Sequence, residues 1–130
     1  MAVERIEVDV DLLAQEIGTL SPEELDALPF GAIQLDAEGT ILTYNKAEER
    51  LSGRKADLVV GKNFFQEIAP CTRVKRFHGT FETGVQRREL NEVFDFLFRF
   101  PSGAREVRIR MIYSGVPKPA VWIFVTPIGS

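Results

Sequence analysis

The sequence contains one cysteine and one histidine in 130 residues. A single cysteine excludes an internal disulfide, and without a CxxC pair nothing points to zinc, an iron–sulfur cluster or attached haem. No stretch approaches the roughly 18 apolar residues of a transmembrane helix, and the first residues lack the pattern of a secretory signal. The length suits one domain that buries its own core. We therefore expect a single-domain protein of the cytoplasm, without a membrane span.

Net charge is also small, at -3, but it is unevenly distributed. Residues 1–28 carry eight acids against Arg5 alone, a net charge of -7, whereas residues 73–110 carry nine Lys or Arg against five acids, a net charge of +4. Because these basic residues are interleaved with acids, nucleic-acid binding is disfavoured. Two interpretations stay open: two separate solvated surfaces, or an acidic N-terminal segment that docks on a basic surface of the same chain.

Capping residues and apolar spacing predict two short helices in the N-terminal segment. The first has one apolar face, formed by Val10, Leu13, Ala14 and Ile17. In the second, "SPEELDAL", Ser21 is the expected N-cap and Glu24 follows three residues later, which is the pattern of a capping box.

The next segment, "FGAIQLDAEGTILTYN", predicts a β-hairpin, with Gly39 supplying a positive φ at the turn. Asn45 is the expected N-cap of a short helix that ends at Gly53. Further short helical pieces are predicted in "KADLVV" and "KNFFQEI", and a longer helix over about residues 77–88.

The last part of the chain predicts three strands. In "VFDFLFRF" four aromatic side chains alternate onto one face: Phe94, Phe96, Phe98 and Phe100. "REVRIRMIY" and "AVWIFV" follow as the other two strands. A strand pair, a helical middle and three further antiparallel strands predict an α+β fold in which the helices cover the phenylalanine face of the sheet.

The opposite sheet face also needs cover. It carries Val93, Leu97, Ile112 and one half of the last strand, either Trp122 or the alternative set of Val121, Ile123 and Val125. We expect the acidic N-terminal helices to pack here. Their carboxylates would then meet basic side chains of the sheet: Arg99, Arg108 or Arg110.

Two long motifs carry a family resemblance. "PFGAIQLDAEGTILTYNKAEERLSGR" followed by "VVGKNFFQEIAPCT" resembles the photoactive yellow proteins, small bacterial blue-light receptors of the PAS superfamily. The similarity is dense from Phe30 to Thr72 and weak over the first 28 residues. It implies a PAS fold with a five-stranded antiparallel sheet, a chromophore-binding core over residues 29–130, and a helical cap over residues 1–28 on the outer sheet face.

The resemblance also implies a cofactor, p-coumaric acid (4-hydroxycinnamic acid), held as a thioester on Cys71. Tyr44 and Glu48 stand where the family has the partners of the phenolic oxygen. Four further positions match pocket residues: Ser52, where the family often has threonine, Arg54, and the aromatic walls Phe64 and Phe98. The loop "FPSGAREV" has no methionine where relatives often have one that speeds the return to the dark state. We therefore expect slow dark recovery.

Elementary electrostatics explains how such a pocket would signal. A carboxylate and a phenolate in contact in a low-dielectric pocket repel, so Glu48 would keep its proton in the dark. After trans-to-cis isomerisation the proton would pass from Glu48 to the chromophore. The charge left behind in the interior costs several kcal/mol, comparable with the ~5 to 15 kcal/mol that stabilises a domain. Partial unfolding would then be the signal to a downstream signalling protein, with the receptor a monomer or weak dimer.

Two alternatives remain at this stage. The chain could be a PAS domain that binds another ligand or a protein partner, with Cys71 structural or redox-active. An enzyme could pair Cys71 as nucleophile with His78 as base, but their seven-residue separation fixes no geometry. We do not expect an enzyme.

Overall fold

The computed structural model describes residues 20–115 and 118–128. The helix predicted over Val10 to Ile17 lies outside the described residues. The described helices are α1 (Pro22–Asp26), α2 (Lys46–Ser52), α3 (Ala56–Val59) and α4 (Thr80–Arg87). The strands are β1 (Gly31–Leu35), β2 (Ile41–Tyr44), β3 (Asn91–Phe100), β4 (Gly103–Ser114) and β5 (Ala120–Pro127). None of these helices is long and apolar enough to cross a membrane.

The strands form one five-stranded antiparallel sheet in the order β2-β1-β5-β4-β3. β1 lies between β2 and β5, so that Ile33 stands opposite both Tyr44 and Ile123. β3 and β4 form a hairpin closed by the pair Phe100 and Gly103, and β3 is left at one edge of the sheet. The predicted α+β fold with a five-stranded antiparallel sheet is confirmed.

Local signals in the sequence produce the predicted caps. The Ser21 hydroxyl oxygen accepts a hydrogen bond from the Glu24 backbone N–H at 3.1 Å, and the Glu24 carboxylate accepts one from the Ser21 N–H at 2.8 Å. Gly39 has a φ of 93° in the hairpin turn, and Gly53 ends α2 with a φ of 82°. Both values lie where a Cβ is unfavourable, which is why glycine stands there.

The middle of the chain is less regular than predicted. The short helical pieces predicted in "KADLVV" and "KNFFQEI" are α3 and the π-helical turn Phe64–Ile68. A 3-10 turn, Pro70–Thr72, and a second π-helical turn, Lys75–Gly79, follow. The helix expected over residues 77–88 begins as an α-helix only at Thr80, because the N–H groups of His78 and Gly79 both bond to the Val74 carbonyl and widen the preceding turn.

The main core lies between the sheet and the helical side. Seven phenylalanines are buried in it: Phe64, Phe65, Phe77, Phe81, Phe94, Phe98 and Phe100. Phe96 packs against this core but is only half-buried. The last strand contributes Val121, Ile123 and Val125 to the same side, which decides between the two orientations left open by the sequence. The predicted contact between the phenylalanine face and the helices is confirmed.

A second, smaller core lies on the outer sheet face. Leu25 of α1 packs there with Ala32, Ile112, Trp122 and Phe124. α1 does not cover β3, where Val93 and Leu97 are 40% and 46% exposed.

Two arginines of the outer face, Arg108 and Arg110, have partners within the β3–β4 hairpin. Arg108 binds Asp95 at 2.9 Å and Arg110 binds Asn91 at 2.9 Å. Among the described residues, neither arginine forms an ion pair with an acid of α1, and the other N-terminal carboxylates of that prediction lie outside the described residues.

Candidate functional site

Tyr44 stands at the end of β2, and its register opposite Ile33 directs it into the main core. The hydroxyl of Tyr44 donates a hydrogen bond to the Ser52 hydroxyl oxygen at 2.7 Å. Burial, and after it the charge of Glu48, raises the pKa of Tyr44 to about 12. The tyrosine is therefore a neutral hydrogen-bond donor at any physiological pH.

Asn45 begins α2 and ties it to two other elements. Its side-chain oxygen accepts hydrogen bonds from the N–H groups of Ala32 at 2.9 Å and Glu48 at 3.0 Å. Its amide nitrogen donates to the carbonyls of Leu25 at 2.8 Å and Phe30 at 3.1 Å. The side chain is almost fully buried, so these bonds are made away from water. Asn45 thereby fixes the helical turn that carries Glu48 against β1 and the end of α1.

Glu48 lies in the first turn of α2 and is 1% exposed. Its Oε1 atom forms no hydrogen bond with any group in the described part of the chain. Burial raises the pKa of Glu48 to about 8, with the positive charge of Arg54 acting in the opposite direction. At neutral pH the side chain is therefore a neutral acid. A buried polar atom without a partner is rare and is typical of functional sites.

Gly31 of β1 makes room for this carboxyl group. A Cβ at position 31 would collide with Glu48 Oε1 and lie 3.1 Å from Glu48 Cδ. Sequence analysis missed this position. The motif "FGAIQL" places Gly31 at the start of a strand, but the residue that its missing side chain accommodates comes from another element.

Ser52 and Arg54 complete the polar group. Ser52 is fully buried at the end of α2, and its hydroxyl oxygen accepts a second hydrogen bond from the Arg54 N–H at 3.1 Å. The Arg54 guanidinium donates to the Ile68 carbonyl at 2.7 Å. It is close enough to Tyr44 and Glu48 to lower the pKa of both. Four predicted residues, Tyr44, Glu48, Ser52 and Arg54, are thus neighbours in the structure.

Cys71 lies in the 3-10 turn Pro70–Thr72, which follows the turn that holds Arg54. Its thiol is unpaired and half-buried, and it packs against the same core that contains Tyr44. Phe64 and Phe98 are buried in this core with their ring centroids 6.1 Å apart. The two rings therefore come from different elements and belong to the same core as Tyr44, against which Cys71 also packs.

Two other features stand apart from these residues. His78 stacks on Phe65 with ring centroids 4.3 Å apart, and its Nε2 lies 3.5 Å from the Glu82 carboxylate. Its contacts are those of a packing residue on a helix. A groove of about 940 Å³ runs between α4 and the start of β3, and its walls contain none of the predicted site residues.

Comparisons with known proteins agree on one family. The profile described as PAS fold matches residues 22–127. The photoactive yellow protein of Rhodothalassium salexigens is 40% identical over 123 residues, which cover 95% of this chain and 98% of that protein. The photoactive yellow protein of Cereibacter sphaeroides is 43% identical over 118 residues, 90% of each chain.

A solved structure gives the same answer. The photoactive yellow protein domain of the sensor histidine kinase Ppr from Rhodospirillum centenum is 47% identical and superposes with a TM-score of 0.81. The match covers 86% of this chain and 97% of that domain. The chain therefore belongs to the photoactive yellow protein family, the blue-light photoreceptors of the PAS fold.

Proposed function

We propose that this photoreceptor detects blue light through p-coumaric acid bound to Cys71 as a thioester. The observation that carries the proposal is the buried Glu48, whose pKa is raised, whose Oε1 has no hydrogen-bond partner among the described residues, and whose charge acts on Tyr44. When bound, the p-coumaroyl group supplies a double bond that isomerises from trans to cis in blue light and a phenolic oxygen that can hold or release a proton.

Cys71 supplies the point of attachment. Its thiol is half-buried and free, so an activated acyl group can reach the sulfur from one side while the core packs against the other. Phe64 and Phe98 would wall the pocket with aromatic rings and exclude water. A dry pocket strengthens every electrostatic interaction inside it, including those of Tyr44 and Glu48.

Tyr44 and Glu48 provide two neutral donors for an anionic oxygen. Short hydrogen bonds from such donors stabilise a phenolate. Ser52 supports this arrangement, because its hydroxyl can donate to the Tyr44 oxygen once Tyr44 donates into the pocket. Arg54 adds a positive charge whose guanidinium is anchored on the Ile68 carbonyl.

Glu48 would also supply the transferable proton. Its loss leaves a carboxylate that is 1% exposed and has no donor to Oε1 among the described groups. An ion in that position costs several kcal/mol, a large part of the ~5 to 15 kcal/mol that stabilises a domain. Asn45 connects the Glu48 turn to the Leu25 carbonyl, so the N-terminal cap over residues 1–28 is the element that we expect to be released.

The output of this receptor would be the surface that is exposed when the N-terminal cap is released, rather than a catalysed reaction. A relative of the same family is a domain of a sensor histidine kinase, which supports a downstream signalling protein as the partner. We place the receptor in the cytoplasm as a monomer or weak dimer, without enzymatic activity of its own.

The attachment is tested by incubating the apoprotein with p-coumaroyl anhydride. We expect a yellow adduct that survives denaturation, and no adduct with Cys71→Ser, which keeps a side chain of similar size. A coloured band that remains on denatured Cys71→Ser would overturn the assignment of Cys71. A wild-type protein that stays colourless would instead favour a PAS module that binds another ligand or a protein partner.

The role of Glu48 is tested with Glu48→Gln in the reconstituted protein. Glutamine keeps a donor but has no transferable proton, so we expect a red-shifted dark spectrum and a smaller light-induced change in circular dichroism. Glu49→Gln is the matched control, since Glu49 accepts a hydrogen bond from the Ala56 N–H outside the pocket. Identical spectra for wild type and Glu48→Gln would rule out this role.

A further inference from the structure

β3 presents a free edge to the surroundings. It is the last strand of the sheet and, within residues 20–115 and 118–128, it pairs with β4 alone. The Tyr113 N–H donates to the Leu90 carbonyl at 3.0 Å, and hydrogen-bonded pairs alternate along an antiparallel ladder. The even-numbered residues of β3 therefore bond to β4. The odd-numbered residues point their backbone N–H and C=O groups away from β4, at the free edge: Asn91, Val93, Asp95, Leu97 and Arg99.

The sequence of this edge is self-complementary. In "FDFLFRF" the residues on either side of Leu97 mirror one another in type, except that an acid on one side matches a base on the other. Antiparallel pairing of two copies about Leu97 places Asp95 opposite Arg99 at both ends and Leu97 opposite itself. Phenylalanines face phenylalanines on the other side of the sheet. The central pairs of this register, Leu97 with Leu97 and Asp95 with Arg99 on both sides, can form backbone hydrogen bonds, and the pairing ends where Val93 would meet Pro101, which has no backbone N–H.

The side chains at the edge have surface left for a partner. Leu97 is 46% exposed, and Phe96 is only half-buried although it contacts Phe77. Arg99 is exposed and forms no ion pair within residues 20–115 and 118–128. Asp95 already binds Arg108 at 2.9 Å, but a carboxylate can accept from a second guanidinium.

We propose that a second copy of this chain binds β3 edge to edge, in a two-fold antiparallel pair centred on Leu97 that joins the two sheets into one. A register centred on Phe96 would instead place Asp95 opposite Leu97 and leave both charges unpaired, so charge complementarity selects the Leu97 register. Because only one strand edge takes part, the interface is small and the dimer is weak and concentration-dependent.

The proposal is tested by sedimentation equilibrium of the full chain in the dark. D95R and R99D each place like charges opposite one another, and we expect each to weaken dimerisation by roughly tenfold or more. An equimolar mixture of D95R and R99D should dimerise again, because both cross-strand pairs then join an arginine to an aspartate. R105D makes the same change in charge as R99D, but on an exposed residue of β4 away from the edge, and should dimerise like the wild type.

Other results would overturn the proposal. They are a wild-type protein that is monomeric at about 1 mM, single variants that dimerise like the wild type, or a mixture that stays monomeric. D95R also removes the ion pair with Arg108, so the circular dichroism of each variant is checked first. If D95R is unfolded, L97K replaces it, since two ammonium groups would meet on the two-fold axis. Undiminished dimerisation of both L97K and R99D would then reject the edge as the interface.

Discussion

Glu48 combines burial, an unpartnered oxygen and a raised pKa in one side chain. The cause is its surroundings, because burial disfavours the charged form and the nearby positive charge of Arg54 does not compensate. At the residue scale, the distinctive feature of the receptor is therefore a carboxyl group that is buried where its ionised form is unfavourable. This makes both the stability and the colour of the protein sensitive to small changes around that group.

The raised pKa of Glu48 makes the stability of the apoprotein depend on pH. The folded protein holds this proton up to about pH 8, whereas the unfolded chain releases it near 4.5. The contribution of this proton to the free energy of unfolding is complete below the pKa of Glu48 in the unfolded chain. It is lost as the pH rises through the pKa of Glu48 in the folded protein. At about 1.4 kcal/mol per pKa unit, we expect the free energy of unfolding to fall by a few kcal/mol between pH 5 and 8.

Urea denaturation at several pH values checks this. Glu48→Gln should be insensitive to pH across this range, because it has no proton to lose. Glu38→Gln, at an exposed position, should show the same dependence of the free energy of unfolding on pH as the wild type. Parallel slopes for wild type and Glu48→Gln would show that Glu48 does not titrate abnormally.

Gly31 gives a second prediction at this scale. In Gly31→Ala the new methyl group would push against the Glu48 carboxyl group. We expect a shifted absorption maximum in the reconstituted protein and a loss of stability of about 1 to 3 kcal/mol from overpacking. Gly79→Ala is the control, since its Cβ would meet Lys75 Cγ only at 3.4 Å. A Gly31→Ala protein with wild-type colour and stability would contradict this packing.

At the scale of elements, α2 organises the site. Asn45 begins it, Glu48 lies in its first turn, Ser52 is its last residue and Gly53 ends it. The helix is short, so its position depends on its contacts with other elements rather than on its own propensity. The most important of these contacts pass through the Asn45 side chain.

Asn45→Ala should therefore destabilise the fold strongly. The substitution leaves buried N–H groups of Ala32 and Glu48 and buried carbonyls without their partner. We expect a loss of at least about 2 kcal/mol in the free energy of unfolding, measured by urea denaturation. Asn91→Ala removes only a partner of Arg110 at the surface and should cost less than about 1 kcal/mol. Equal losses for the two variants would contradict the role of Asn45.

The β3–β4 turn leads to a kinetic prediction. A Cβ on Gly53 would lie 3.9 Å from Ser102 Cβ, so this turn approaches the end of α2 beside Arg54. Met111 is fully buried in the core and cannot take the place of a methionine in the turn. We expect slow dark recovery in the wild type and faster recovery in Ser102→Met, followed by absorption after a blue flash. Ser102→Ala should stay slow, and equal rates for all three proteins would exclude this explanation.

At the scale of the whole molecule, one sheet separates two cores of unequal size. The larger lies under the helices and holds the candidate site, whereas the smaller depends on α1 for its cover. The small core buries one of the largest side chains of the protein, Trp122, against Leu25. Because the smaller core has fewer members, we expect its cover to open more readily than the helices over the main core.

Removal of residues 1–28 should expose this small core. We expect stronger binding of an apolar dye and a red-shifted emission of Trp122 in the dark, because the indole loses the cover of α1. In the intact reconstituted protein, blue light should change both signals in the same direction. If truncation left dye binding and emission unchanged, the cap would not be docked on this face.

Features whose causes lie within a few residues could be predicted from the amino-acid sequence. The capping box of Ser21 and Glu24, the turns at Gly39 and Gly53 and the alternation of phenylalanines on β3 are all local, and all were predicted correctly. The motifs around Tyr44, Glu48 and Cys71 indicated the family for the same reason, since they are contiguous.

Contacts between distant segments depend on the assembled fold, and the sequence did not predict them. Alternation divides β5 into two sets but does not say which set faces the helices. The register of β5 with β4 places Trp122 opposite Ile112, on the outer face. The partners of Asn45, the carbonyl that holds Arg54 and the room that Gly31 leaves for Glu48 all come from other elements. Burial raises the pKa of Glu48, and burial is a property of the assembled core rather than of any stretch of sequence.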